Sequence, residues 1–215
     1  MKDWLHARVF AASCWVLRVF FRLVYRARVE GRERVPGDGG LLVVSNHQSH
    51  FDPPFVGCWL GRMSWFVARD TLFKGALGPI IRYYNAFPIR RGEPDSGTMK
   101  LIIGHLKAGR CVVMFPEGTR SSDGEIGEFL RGVALVFRRS GCDVLPAAID
   151  GLHGVWPRGA KGPRFGGRVA VRYGEVVSAE TLKGLEADEA VALLQARVQE
   201  LHASLREGAG SACSD

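Results

Sequence analysis

A chain of 215 residues, 47% hydrophobic and 24% charged, has the make-up of an ordinary globular protein with one domain and one sizeable core. Its 27 glycines follow no fixed period, which excludes collagen-like and solenoid architectures. The net charge of +7 admits nucleic acid, a membrane surface or a phosphorylated ligand as partner, and excludes a chain that is acidic overall.

Charge is unevenly spread. Residues 1–34 hold eight Lys/Arg against three Asp/Glu, residues 35–177 hold 18 against 12, and the remainder three against seven. Binding to nucleic acid would call for a basic stripe interleaved with aromatics, and none is found outside the front segment, so no nucleic-acid partner is expected. Cys14, Cys58, Cys111, Cys142 and Cys213 make neither a Cys-x-x-Cys pair nor a zinc spacing, which fits a reduced, intracellular chain.

The first element, Trp4 to Tyr25, is rich in Trp, Phe, Val and Leu but interrupted by Arg8, Arg18 and Arg22. Its longest charge-free run, Val9 to Leu17, is well short of the roughly 18 to 20 apolar residues that span a bilayer. On a helical wheel Arg8, Arg18, Arg22 and Arg26 fall within an arc of about 80°. Phe10, Trp15, Leu17, Phe20, Phe21 and Val24 occupy the other faces. The pattern predicts an amphipathic helix in a membrane interface, arginines toward headgroups and aromatics toward acyl chains. Packing of the same helix on the domain's own core is the alternative. Neither a continuous apolar region nor a small-residue cleavage site suggests a signal peptide.

Strand-like runs then recur at Leu41–Val44, Trp65–Ala68, Ala86–Ile89, Cys111–Phe115, Val144–Ile149 and Val169–Tyr173. Helix-compatible segments at Pro53–Leu60, Leu72–Tyr84, Gly97–Ala108 and Phe129–Arg139 lie between them, and Ala187–Arg206 follows. This alternation predicts a single α/β domain with a mixed sheet flanked by helices. The division expected is a membrane-associating segment at 1–34, a core at 35–177, a packing helix at 178–207 and a loose tail at 208–215. In Asp52-Pro53-Pro54 the aspartate is a favoured N-cap and the proline a favoured first helical residue, which makes His47 to Asp52 a loop.

Two segments carry chemistry. Asn46-His47-Gln48-Ser49-His50-Phe51-Asp52 follows the Leu41–Val44 strand, and Phe115-Pro116-Glu117-Gly118-Thr119-Arg120-Ser121 begins at the end of the Cys111–Phe115 strand. Ligands of open α/β sheets gather at the carboxyl edge, so the two can share one cleft. A neutral His47 can accept a hydroxyl proton, and Asp52 can fix its tautomer and stabilise the cation formed. His50 is a secondary base. Arg120 suits a phosphate, which guanidinium binds bidentately. His47, His50 and Asp52 could also ligate a metal, but nothing completes a ligand set, so none is expected. Ser49 lacks the Gly-x-Ser-x-Gly elbow of a nucleophile.

These two segments resemble the first and third blocks of the glycerolipid acyltransferase family, whose best-known members are lysophosphatidic acid acyltransferases. Phe87-Pro88-Ile89-Arg90-Arg91-Gly92 is similar to the second block, with Arg91 at its arginine, and Val144-Leu145-Pro146-Ala147-Ala148-Ile149 resembles the fourth. The resemblance implies that His47, oriented by Asp52, deprotonates a glycerol hydroxyl, which attacks the thioester of an acyl-coenzyme A or acyl carrier protein. It further implies that Arg91, Glu117, Gly118, Thr119 and Arg120 bind the glycerol phosphate, with Asn46, Arg90 and Pro146 as secondary candidates. Glu117 would repel phosphate, so a substrate hydroxyl or an arginine is its expected partner. Implied partners are a membrane surface, a lysophospholipid, most simply 1-acyl-sn-glycerol 3-phosphate, and the acyl donor, with no cofactor. The implied location is the cytoplasmic face of a membrane, peripheral or monotopic. Two departures bear on the acceptor: Arg90 stands where relatives often have an acid, and Phe129-Leu130-Arg131 moves a basic residue by one position. Acylation of another lysolipid or an acyl-amino-acid lipid, or a basic membrane-binding protein without activity, are the competing readings.

Overall fold

The computed structural model describes residues 2–89 and 96–210. Seven strands form one sheet: β1 (Arg28–Glu30), β2 (Leu41–Ser45), β3 (Ser64–Arg69), β4 (Ala86–Ile89), β5 (Cys111–Met114), β6 (Asp143–Asp150) and β7 (Ala170–Tyr173). Their order is β1-β7-β6-β2-β5-β3-β4. All neighbours are parallel except β6 and β7, which makes the sheet mixed, as the alternation of elements predicts.

Helices cover both faces: α1 (Lys2–Tyr25), α2 (Asp52–Trp59), α3 (Leu77–Tyr83), α4 (Ser96–Lys107), α5 (Gly132–Ser140), α6 (Leu152–Val155), α7 (Ala179–Lys183) and α8 (Ala187–Gly210). A parallel strand covered on both faces must be apolar on both, which is why β2 and β5 read as unbroken hydrophobic runs. Leu41, Val43, Cys111 and Val113 meet Phe21, Tyr25, Phe55 and Trp59 in one core layer. Leu42, Val44, Val112 and Met114 meet Ile102, Leu106, Val136, Phe137, Leu194 and Val198 in the other.

Several expectations are corrected. The front segment is integral to the domain: Phe21 and Tyr25 are fully buried, and Arg28 to Glu30 form an edge strand. Phe20 and Phe21 pack edge-on against Phe51, and Phe21 also against Phe55, so these aromatics point into protein rather than toward acyl chains. Arg18 also turns inward, its Nε donating to the Cys58 carbonyl at 2.6 Å, where a cation satisfies the carboxyl end of α2. The helix expected over Leu72–Tyr84 is split into a 3-10 turn at Asp70–Phe73 and α3. The break lies at Lys74-Gly75-Ala76, and a Cβ on Gly78 would lie 2.5 Å from the Phe73 carbonyl oxygen. At the far end α8 continues to Gly210, past the expected boundary at 207. The remainder of the expected tail lies outside the described residues. No helix among the described residues is long and apolar enough to cross a membrane.

Candidate active site

Strands β2 and β5 are direct neighbours with Val44 opposite Met114, so their following loops emerge side by side. Two hydrogen bonds then join the loops at one residue. The His47 amide donates to Glu117 Oε1 at 2.8 Å, and the Ser121 amide donates to the His47 carbonyl at 2.7 Å. His47 is thereby held through its own backbone before its side chain makes any contact.

The imidazole stacks on Phe115, with centroids 4.3 Å apart and planes inclined by 20°. Its Nδ1 donates to Asp52 Oδ2 at 2.7 Å, which leaves Nε2 for a substrate. The same Oδ2 accepts the Gln48 and Ser49 amides at 2.5 and 2.6 Å. Three donors on one fully buried oxygen offset the loss of water around the charge. Asp52 is the first residue of α2, with Pro53 second and Phe51 at the cap position. The expected N-cap is therefore corrected: the Asp52 side chain caps the preceding loop instead of the helix. That arrangement aligns a carboxylate with His47 and also places it at the positive end of α2.

Glu117 departs from the expected arginine partner. Oε1 takes the His47 amide, Oε2 takes the Gly127 amide at 3.1 Å, and no arginine pairs with it among the described residues. It is a backbone clamp between loops. Burial pushes its carboxyl up from the ordinary value, against the two amides and the His47 charge, which pull it down. Gly118 has φ +66, and its amide donates to the Phe115 carbonyl at 3.1 Å; a Cβ there would meet Leu130 Cδ1 at 2.7 Å.

His47, His50, Glu117, Gly118, Thr119 and Arg120 line one cavity of about 680 Å³. Arg120 is half-buried, and its Nη1 is buried without a hydrogen-bond partner. Burial lowers its pKa, and the neighbouring Arg158 charge lowers it further, while Asp52 acts in the opposite sense. A buried guanidinium donor with no acceptor, opening on a cavity, has the chemistry to bind an anion. His50 is exposed and rests against Trp156 with centroids 5.0 Å apart. The protein atoms around it, then Arg120 and His47, hold its pKa below the ordinary value, and it is not coupled to Asp52 by a hydrogen bond as His47 is.

Asn46 and Pro146 are elsewhere. Asn46 is buried, its Nδ2 donating to the Ile149 carbonyl at 2.9 Å and its Oδ1 accepting the Ile149 amide at 2.8 Å, so it extends the sheet beyond β2. Pro146 sits opposite Val44 in β6, and its carbonyl accepts the Gly174 amide at 2.8 Å, just past the last β6–β7 pair. The missing N–H thus falls where β7 has ended, which is how a central strand tolerates proline. Arg90 and Arg91 lie outside the described residues. Sequence reasoning misses Arg69 and Arg158, which line the cavity from the end of β3 and from the loop after α6. Neither belongs to a block, and the fold alone brings them there. No cluster of three or more metal-ligating side chains is found among the described residues.

The acyltransferase family model matches residues 26–150, which contain both loops and all four blocks. A chloroplast 1-acyl-sn-glycerol-3-phosphate acyltransferase of Arabidopsis thaliana is 32% identical over 166 residues, 75% of this chain and 46% of that protein. A 1-acyl-sn-glycerol-3-phosphate acyltransferase of Pseudomonas aeruginosa is 29% identical over 190 residues, 87% of this chain and 70% of that protein. The crystal structure of the 1-acyl-sn-glycerophosphate acyltransferase of Thermotoga maritima superposes with a TM-score of 0.65 at 29% identity, covering 81% of this chain and 72% of that one. The chain spans about half the length of the chloroplast relatives it matches. With a family model across more than half its length and residues of the first three blocks lining one cavity, this chain belongs to the acyltransferase family.

Proposed function

We propose that the protein transfers a fatty acyl group from acyl-coenzyme A or acyl carrier protein to the free hydroxyl of 1-acyl-sn-glycerol 3-phosphate, giving phosphatidic acid. The observation that carries this reading is that the His47–Asp52 pair and the unpartnered Arg120 guanidinium open on the same cavity. A base and an anion site in one cavity match an acceptor whose hydroxyl lies a few bonds from its phosphate. The names of the relatives from Arabidopsis and Pseudomonas agree with this acceptor.

His47 Nε2 removes the hydroxyl proton as the oxygen attacks the thioester carbonyl. The tetrahedral intermediate collapses with loss of the thiolate, which takes the proton back from His47. An activated thioester needs no covalent acyl-enzyme, so alignment of two bound substrates and one base are the enzyme's contribution. Val67, Leu72, Ile89, Met99, Leu130 and Val133 give the cavity an apolar wall suited to an acyl chain.

We assign membrane association to the outward face of α1, where exposed arginines lie among exposed apolar side chains. Trp4, Leu5, Trp15, Val16 and Leu23 of α1 are exposed, with Trp15 63% and Leu23 78% accessible. Leu77, Ile80 and Tyr83 of α3 are exposed as well, and His6 Nε2 joins the two helices by donating to the Tyr83 carbonyl at 2.8 Å. With Arg8 and Arg22 of α1 and Arg26 just after it also exposed, this face suits an anionic bilayer, entered from the cytoplasmic side without crossing. The test is product identification by mass spectrometry after incubating the protein with lysophosphatidate vesicles and either acyl donor. Phosphatidic acid is expected. Absence of acylated product with both donors contradicts the reading.

A further inference from the structure

Arg158 is exposed, belongs to none of the four blocks, and yet reaches the cavity. Its position is built. The Ala160 amide donates to the Pro157 carbonyl at 3.2 Å, closing a β-turn with Arg158 and Gly159 at its centre, and Gly159 has φ +89. That conformation is easy for glycine, so the Pro157-Arg158-Gly159 order specifies the turn. Trp156 fixes the turn at both ends. Its Nε1 donates to the Ala160 carbonyl at 3.1 Å, while its ring packs edge-on against Phe51, centroids 5.0 Å apart, and against His50. Phe51 and His50 belong to the His47–Asp52 loop, so the turn is docked on the segment that carries the base. Arg158 Nη1 then donates to Thr119 Oγ1 at 3.3 Å, beside Arg120.

Two guanidiniums therefore share this part of the cavity, and no carboxylate forms an ion pair with either among the described residues. Arg158 and Arg120 repel each other, Arg120 Nη1 is buried without an acceptor, and Glu117, the nearby acid, is committed to backbone amides. An anion between the two relieves this repulsion and supplies the acceptor that Arg120 Nη1 lacks, and two negative charges do so better than one.

Resting on the proposed acceptor, we infer that Arg158 is the second arm of its phosphate site and a determinant of headgroup choice. With Arg120 it binds a doubly charged phosphomonoester in preference to a singly charged phosphodiester.

The test measures kcat and KM for two acceptors in neutral-lipid vesicles, 1-acyl-sn-glycerol 3-phosphate and 1-acyl-glycerophosphoglycerol, with wild type, Arg158→Ala, Arg158→Lys, Arg120→Ala and Lys161→Ala. Lys161 is an exposed cation on the same loop that does not line the cavity, so its variant removes equal charge from the surface. Arg158→Ala is expected to raise KM for the monoester about tenfold with kcat nearly unchanged, and to shrink the preference over the diester by the same factor. Arg158→Lys restores part of the preference, and Lys161→Ala leaves it intact. If Arg120→Ala weakens use of the monoester while Arg158→Ala does not, or if Lys161→Ala reproduces the Arg158→Ala effect, the inference about Arg158 is overturned and the acceptor assignment stands. A wild type that favours the diester overturns both.

Discussion

Asp52 Oδ2 binds His47 Nδ1 at 2.7 Å and simultaneously receives the Gln48 and Ser49 amides, so one oxygen sets both the tautomer of the imidazole and the shape of the loop that carries it. Asp52→Asn separates the charge from the geometry. An amide oxygen in the Oδ2 place keeps all three donors, Nδ1 included, while the negative charge that stabilises the imidazolium is lost. Turnover should fall by about three orders of magnitude with the melting temperature little changed. Steady-state rates and a thermal melt on the same preparation check this, and a variant of near-normal turnover would remove Asp52 from the mechanism.

Glu117 gives a pH signature. Burial raises its pKa in the folded state, so just above the ordinary value of 4.5 the folded protein holds a proton that the unfolded chain has released. Its contribution to stability is fully present at acid pH and declines as pH rises through the folded value. Glu117→Gln lacks this slope and leaves one of the His47 and Gly127 amides facing an NH2 group. Urea midpoints measured from pH 4 to 8 should show the stability difference, wild type minus variant, decreasing as pH rises. A flat difference contradicts the assignment.

The main strands and the shared cleft were legible because β2, β5 and β6 are covered on both faces and so are apolar through their centres. Edge elements left weaker traces. Arg28–Glu30 is three residues long with two charged side chains, a pattern indistinguishable from loop until it pairs with Ala170–Arg172. The α1 face was misread because a helical wheel separates arginines from aromatics but cannot say which aromatics find a partner, and Phe20 and Phe21 find Phe51. Likewise the Asp-Pro-Pro sequence suggests a helix cap, and only the loop geometry shows that Asp52 turns back to Gln48 and Ser49. Arg158 is about 40 residues from Arg120 in sequence, and Trp156 closes that distance only in the fold.

Asn46 adjoins the base but is tied to Ile149 through a buried pair of hydrogen bonds, with Ser45 Oγ a longer donor at 3.5 Å. Asn46→Ala leaves a backbone donor and acceptor unsatisfied and should cost about 2 to 3 kcal/mol. Chemical denaturation reads this directly. The KM of the folded fraction for the acceptor should stay within about twofold, and a large rise would return Asn46 to the substrate site.

The two faces of α1 can be tested against each other. Trp15→Glu with Leu23→Glu alters only exposed positions and should release the protein from anionic vesicles in a sedimentation assay, at nearly unchanged stability. Phe21→Ala opens a cavity in the core beside Phe55 and should cost about 3 to 5 kcal/mol. Retention of the double variant on vesicles would show that this face does not carry the membrane contact.

The account rests on His47 as the base. The most direct measurement is the rate of labelled acyl transfer from the thioester to lysophosphatidate by purified His47→Ala, compared with wild type at equal folded concentration. Loss of nearly all turnover, about a thousandfold or more, with lysophosphatidate still bound, is predicted. Turnover near the wild-type rate would contradict the mechanism.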